Sequence, residues 1–146
     1  MSVLIKGGRI VTAADSTVAD VFIEGEKVSL IGRSLDVEAD TVIDATGKLV
    51  LPGAIDPHTH LDMPFGGTVT IDDFTSGQTA AAFGGTTCHI DFAIQSRGQS
   101  FSAAIDEWSA KALGSAVIDY GFHIIVTDLE EGGTLAELAL LPDRGI

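Results

Sequence analysis

Cysteine is almost absent from this sequence, which has one, Cys88, among 146 residues. A single thiol cannot form an intrachain disulfide, and this excludes the small secreted domains that depend on such bridges. Basic residues are also scarce: 8 lysines and arginines stand against 21 aspartates and glutamates, for a net charge of −13. Because phosphate contacts require clustered basic side chains, nucleic acid and anionic membrane surfaces are disfavoured as partners.

Long apolar runs are missing as well. No stretch approaches the roughly 18 uninterrupted apolar residues of a membrane-spanning helix. Residues 1–10 lack the apolar centre and the small-residue cleavage site that a signal peptide needs. Together with the lone cysteine, these absences predict a cytoplasmic protein in a reducing compartment.

Material for a packed core is plentiful. Hydrophobic residues make up 45% of the chain, there are 17 glycines, and the mean hydropathy is +0.33. This is the profile of a globular protein with a sizeable core, of a length that suits one ordinary domain of roughly 100–200 residues.

Residues 1–50 predict short strands that are separated by glycine and aspartate. Gly7 and Gly8 are interpreted as one of the turns between them. Strands at this spacing without intervening helices are typical of a small antiparallel sheet or β-sandwich. The predicted strands are 3–6, 9–12, 20–24, 27–31, 41–44 and 48–51.

Residues 51–146 instead alternate between strand and helix patterns, the signature of βα units on a parallel sheet. The strands are predicted at 53–60, 86–92 and 117–126, and the helices at 72–83, 101–113 and 134–141. A complete eight-stranded barrel takes about 250 residues. The sequence therefore predicts an α/β fold that is either a three-stranded layer or the first three βα units of a TIM-like barrel.

The chemically informative residues are His58 and His60, at the end of the first strand of the second segment. Side chains alternate along a strand, so the two imidazoles project from one face with the spacing that two ligands of one metal require. Neutral imidazole suits zinc and similar divalent ions. His89 and His123 lie within apolar strands, which favours core histidines with satisfied hydrogen bonds.

The sequence resembles the dihydropyrimidinase and D-hydantoinase family of the amidohydrolase superfamily. The resemblance covers essentially the whole chain. It is carried by residues 51–65 (LPGAIDPHTHLDMPF), 72–77 (DDFTSG), 82–87 (AFGGTT), 90–92 (IDF) and 118–126 (IDYGFHIIV).

This resemblance implies the amino-terminal part of a (β/α)8 barrel, preceded by strands of a small β-sandwich. It implies hydrolysis of a cyclic amide by water that two zinc ions activate, and a homotetramer. The ions are bridged by a carboxylated lysine and bound by four histidines and an aspartate. Only His58 and His60 map onto this ligand set, and none of Lys6, Lys27, Lys48 and Lys111 matches the bridging lysine. The chain alone is therefore expected to be inactive and to bind zinc weakly or not at all.

The loop at 62–70 follows the histidine pair, and in the family it contacts the substituent on the ring. Met63 and Phe65 are accordingly candidate substrate-binding residues, with packing beneath the loop as the alternative. Asp62 stands where dihydroorotases usually carry an arginine, which disfavours dihydroorotate. The remaining alternatives are an allantoinase-type enzyme, a scaffold protein without catalysis, and a self-contained α/β binding module with an incidental histidine pair.

Overall fold

A computed structural model describes residues 1–133 and 135–146. The chain divides into two compact units, Met1–Pro52 and Gly53–Ile146. Among the described residues, no helix is both long and apolar enough to cross a membrane.

The first unit is one five-stranded mixed sheet with the order β3-β2-β1-β4, in which β5 also pairs with β1. A small cluster of Ile10, Ala19 and Val21 forms its buried core. The strands are β1 (Ser2–Val11), β2 (Ser16–Glu24), β3 (Lys27–Gly32), β4 (Thr41–Asp44) and β5 (Leu49–Val50).

The sequence predicts a turn at Gly7-Gly8, and this prediction is wrong. The pair is an irregularity within the single long strand β1. The register with β2 shifts between Ile5 and Gly8, and Gly7 has a φ of 69°. The Gly7 amide donates to the buried Asp20 carboxylate at 2.8 Å. That contact holds the pKa of Asp20 below its usual range. Glycine permits the left-handed backbone here, and the carboxylate satisfies the amide that leaves the ladder.

The predicted antiparallel sheet is wrong for β4 and β5, because both strands run parallel to β1. The β2–β3 hairpin lies between β1 and β4 in the sequence and returns the chain to the start of β1. Asp40 fixes that return, because its carboxylate accepts from the Ser2 amide at 2.6 Å. The hairpin thus provides the crossover that a parallel pair requires.

The second unit is built on a parallel three-stranded sheet with the order β10-β9-β6. Two crossovers connect its strands, the first through α1 and the second through α2, as the alternating sequence pattern predicts. Its elements are β6 (Ala54–Thr59), β7 (Pro64–Phe65), β8 (Thr68–Val69), α1 (Phe74–Phe83), β9 (Thr86–Ile94), α2 (Phe101–Ala112), β10 (Asp119–Ile125), α3 (Leu135–Leu138) and a 3-10 helix (Leu141–Arg144).

Both long helices begin at a side chain that caps them. Asp73 accepts from the Ser76 amide at the start of α1, while the Ser76 hydroxyl accepts from the Asp73 amide, so the pair forms a capping box. Ser100 caps α2 by accepting from the Ala103 amide. Helix α1 therefore begins two residues later than predicted.

The core of the second unit lies between α1, α2 and the sheet. Phe101, Ile105, Trp108 and Ala112 of α2 are all buried, which confirms the predicted helix face. Phe74 of α1 joins this core. Because apolar residues at i, i+4, i+7 and i+11 share one stripe, burying that stripe fixes the helix against the sheet.

The third helix is shorter than the predicted 134–141. Position 134 lies outside the described residues, and α3 ends at Leu138. A separate 3-10 turn follows, with Pro142 near its start. Proline has no amide proton and disfavours a helical residue before it, so one continuous helix cannot run through this segment.

Candidate metal site and substrate loop

His58 is the second-last residue of strand β6, and His60 directly follows the strand. Their Nε2 atoms are 3.2 Å apart, and the ring centroids are separated by 5.0 Å. Two imidazoles held about 2.05 Å from a tetrahedral zinc ion would place their nitrogens about 3.3 Å apart. The two rings thus already converge at the separation that shared coordination requires.

Phe92 of β9 supports both rings from the neighbouring strand. Its ring centroid lies 4.3 Å from that of His58 and 5.3 Å from that of His60. His58 is exposed and His60 is half-buried. The Nδ1 atom of His60 is buried and has no hydrogen-bond partner within the described part of the chain. A ligand histidine usually donates from its second nitrogen to an outer partner, so His60 has an open position for one.

The two other histidines differ from each other. His89 is buried with both ring nitrogens in hydrogen bonds, as predicted for a core histidine. Burial lowers its pKa. The same prediction is wrong for His123, which is exposed and stacks against Phe92 at 5.0 Å. Its strand β10 is at the edge of the three-stranded sheet, so a neighbouring strand, β9, flanks it on one side.

The opposite face of β6 carries a buried polar network that the sequence did not predict. The Thr59 hydroxyl lies 2.6 Å from His89 Nδ1 and 2.9 Å from the Asp91 carboxylate. His89 Nε2 lies 2.7 Å from the side-chain amide of Gln78, on α1. Period-2 alternation of polar residues in the apolar strand β9, at His89 and Asp91, is the one signal that could have revealed it.

The loop at 62–70 contains a short hairpin rather than being irregular throughout. Strands β7 and β8 pair around Gly66 and Gly67, whose φ angles of 60° and 82° suit a two-residue turn of type I′. Met63 is half-buried and exchanges two hydrogen bonds with Thr70, each of 2.9 Å. Phe65 is 75% exposed. The hairpin therefore presents Phe65 outward and ties down the backbone of Met63.

Lys111 anchors the start of this loop from α2. Its ammonium group donates to the Asp62 carbonyl at 3.0 Å and lies 3.7 Å from the centre of the Trp108 ring. Asp62 has a φ of 48°, a left-handed conformation that is uncommon outside glycine. The lysine thus holds the loop at the residue where its backbone is strained.

The histidine pair is not accompanied by further ligands here. Within residues 1–133 and 135–146, no group of three or more histidine, cysteine, aspartate or glutamate side chains could hold a metal ion. A zinc site needs three or four protein ligands. The two imidazoles fit zinc in their chemistry and spacing, and two is fewer than the ligands of such a site.

Comparison with known proteins supplies the context for this histidine pair. No protein-family model matches the chain. The D-hydantoinase of Geobacillus stearothermophilus is 57% identical over 147 residues, which cover 100% of this chain and 31% of that protein. The dihydropyrimidinase of Arabidopsis thaliana is 46% identical over 145 residues, covering 99% of this chain and 27% of that protein.

The fold agrees with these sequence matches. The crystal structure of dihydropyrimidinase from Brevibacillus agri superimposes with a TM-score of 0.95 and 54% identity, over 100% of this chain and 32% of that one. The chain thus spans about a third of the length of its relatives. In sequence and in fold it belongs to the D-hydantoinase and dihydropyrimidinase family, of which it represents the amino-terminal portion.

Proposed function

We propose that this chain is the amino-terminal part of a zinc-dependent cyclic amidohydrolase. The reaction opens a hydantoin or dihydropyrimidine ring to an N-carbamoyl amino acid. The observation that carries the proposal is the 3.2 Å separation of the His58 and His60 Nε2 atoms in a chain 57% identical to a D-hydantoinase. The D-hydantoinase and dihydropyrimidinase relatives support the kind of reaction, and the geometry of the two imidazole rings supports zinc binding.

The role of His58 and His60 is to hold zinc from one side, each through Nε2. When bound, zinc polarises a carbonyl oxygen and lowers the pKa of water. The resemblance implies two ions bridged by a carboxylated lysine, which this chain does not contain. The chain by itself is therefore proposed to be inactive.

Met63 and Phe65 are proposed to contact the substituent on the substrate ring. The first strand of the hairpin that follows, β7, begins four residues after His60, so it lies next to the pair along the chain. The exposed Phe65 ring offers apolar surface to a ring substituent, and burying it would stabilise binding by about 25 cal/mol per Å². Lys111 and Thr70 keep this hairpin in place.

The architecture is proposed to follow the family. Residues 51–146 would form the first three βα units of a barrel, and residues 1–50 would form strands of a small β-sandwich. The three parallel strands of the second unit support the first assignment. Cytoplasmic location and assembly as a homotetramer are proposed on the same resemblance.

A chimera tests the proposal directly. These 146 residues replace the matching segment of the Geobacillus stearothermophilus D-hydantoinase, whose remaining two thirds supply what this chain lacks. The chimera is expected to hydrolyse hydantoin and dihydrouracil in the presence of zinc. Replacing His58 by Asn, or His60 by Asn, is expected to abolish turnover, because each removes a ligand.

Matched controls separate chemistry from folding. Lys27→Met changes an exposed side chain of β3, and it should leave turnover close to that of the parent chimera. A folded, assembled chimera without hydrolysis of either ring would refute the proposal. That outcome would favour the scaffold alternative.

A further inference from the structure

We propose that Thr59 is a positioning residue whose hydroxyl, through Asp91, His89 and Gln78, fixes the directions of the His58 and His60 imidazoles. This rests on the proposed function of the two histidines as metal ligands. Thr59 lies between them in the sequence, and its side chain points to the other face of the strand. Fixing that side chain therefore fixes the backbone from which both rings project.

Regular backbone pairing does not hold this segment by itself. The register between β6 and β9 runs from Asp56 opposite His89 to Thr59 opposite Asp91, so three steps along β6 match two along β9. Pro57 lies within the irregularity and has no amide to donate. Side-chain hydrogen bonds must supply the order that the interrupted ladder does not.

The direction of the network follows from its far end. The amides of Val117 and Ile118, which precede β10, both point at one terminal atom of the Gln78 side chain. Backbone amides only donate, so that atom is the oxygen and the Gln78 NH₂ group faces His89. His89 Nε2 must then accept, which leaves the ring proton on Nδ1.

That proton determines the role of the Thr59 hydroxyl. His89 Nδ1 donates to the hydroxyl oxygen at 2.6 Å, and the hydroxyl in turn donates to Asp91 at 2.9 Å. The same Asp91 oxygen accepts from the Leu61 amide at 2.8 Å. One carboxylate therefore holds the residues on both sides of His60.

The side chains of this network are buried. Asp91 is 0% exposed, Gln78 1% and His89 2%. In such surroundings a hydrogen-bond chain is strong when complete, and the loss of one member leaves its partners unsatisfied. The strand with the histidine pair is thus joined to α1, to β9 and to the segment before β10.

The test uses the 146-residue chain with Thr59→Val, which keeps the shape and removes the hydroxyl, and Thr59→Ser, which keeps the hydroxyl. Phe92 lies against both imidazoles, so its ring current shifts their carbon-bound protons in NMR spectra. Thr59→Val should move these shifts toward those of a free histidine, whereas Thr59→Ser should retain them. In the chimera, Thr59→Val should also weaken zinc binding by about 10-fold or more.

The wild-type chain provides a check that does not depend on a variant folding. Long-range ¹⁵N correlation spectra should show His89 protonated on Nδ1. A proton on Nε2 instead would overturn the proposed direction of the network. Unchanged imidazole shifts in a folded Thr59→Val chain would overturn the positioning role, even if its melting temperature falls. Both results are independent of the chimera's turnover, so the two proposals can fail separately.

Discussion

Removing the Lys111 ammonium should loosen the loop at 62–70. The change is Lys111→Met, which keeps most of the apolar stem against Trp108 and deletes the charge. Lys111 is the α2 residue that donates to the Asp62 carbonyl, next to the strained backbone of Asp62. Without that donor, the carbonyl loses its partner and the loop loses its tie to the core.

The magnitude follows from three contacts. A hydrogen bond from a charged donor contributes about 1.5–3 kcal/mol. The ammonium at 3.7 Å from the Trp108 ring adds about 0.5–1 kcal/mol. The ion pair with the exposed Glu107, at 4.0 Å, adds little. Because the Lys111 side chain is 24% exposed and water partly replaces its contacts, the expected loss is about 2 kcal/mol.

Two measurements locate this loss. Urea unfolding followed by fluorescence of Trp108, the one tryptophan of the chain, gives the change in global stability. Amide hydrogen exchange at Met63 and Thr70 reports local opening, which should become about 30-fold faster for 2 kcal/mol. Lys27→Met, at an exposed lysine of β3, is the matched control and should change neither. Unaltered exchange at both amides in Lys111→Met would refute the anchoring role.

Two further predictions concern the framework. Gly53→Ala should destabilise the chain by about 1–3 kcal/mol in urea unfolding, because the added Cβ would meet Thr87 Oγ1 at 2.0 Å. Gly121→Ala is the control, since a Cβ there would meet no atom within 4 Å. Equal stabilities of the two variants would contradict the account. Amides of Gly98, Glu130 and Glu131 lower the pKa of Asp128 to about 2, below its unfolded value near 3.8. Asp128 therefore stabilises the fold above about pH 4 and loses that contribution as the pH falls toward 2; Asp128→Asn should flatten acid unfolding in this window, and an unchanged profile would exclude the role.

Helix α2 shows what the sequence predicts well. Its apolar stripe of Phe101, Ile105, Trp108 and Ala112 matches the helical period and is buried as expected. Hydrophobic periodicity is a local signal, so it can be read without knowledge of the tertiary fold. The parallel pairing in the second unit follows equally from the alternation of strand and helix.

Features set by long-range partners were missed. The Gly7-Gly8 pair has the composition of a turn, but the Asp20 carboxylate from the neighbouring strand makes it a bulge. Parallel pairing of β4 with β1 is accompanied by a hydrogen bond from the Ser2 amide to the Asp40 carboxylate. Neither contact leaves a mark in local composition, because each joins residues far apart in the chain. The Gly66-Gly67 turn, by contrast, had a local signal that was read only as a loop.

The site divides in the same way. The spacing of His58 and His60 follows from strand alternation, and the observed convergence of their Nε2 atoms agrees with it. The Thr59 network requires Gln78 from a helix and Asp91 from another strand, which only the fold brings together. Likewise, the burial of His89 and the exposure of His123 depend on which side of each strand the helices cover.

The central claim is that His58 and His60 coordinate one divalent ion together. The most direct measurement is a zinc titration of the ¹⁵N-labelled chain that follows the ring nitrogens of both histidines. Because this chain carries only two of the expected ligands, its zinc binding is expected to be weak. We predict that the two Nε2 signals shift together with a single Kd; rings that titrate independently, or a shift of one ring alone, would contradict the claim.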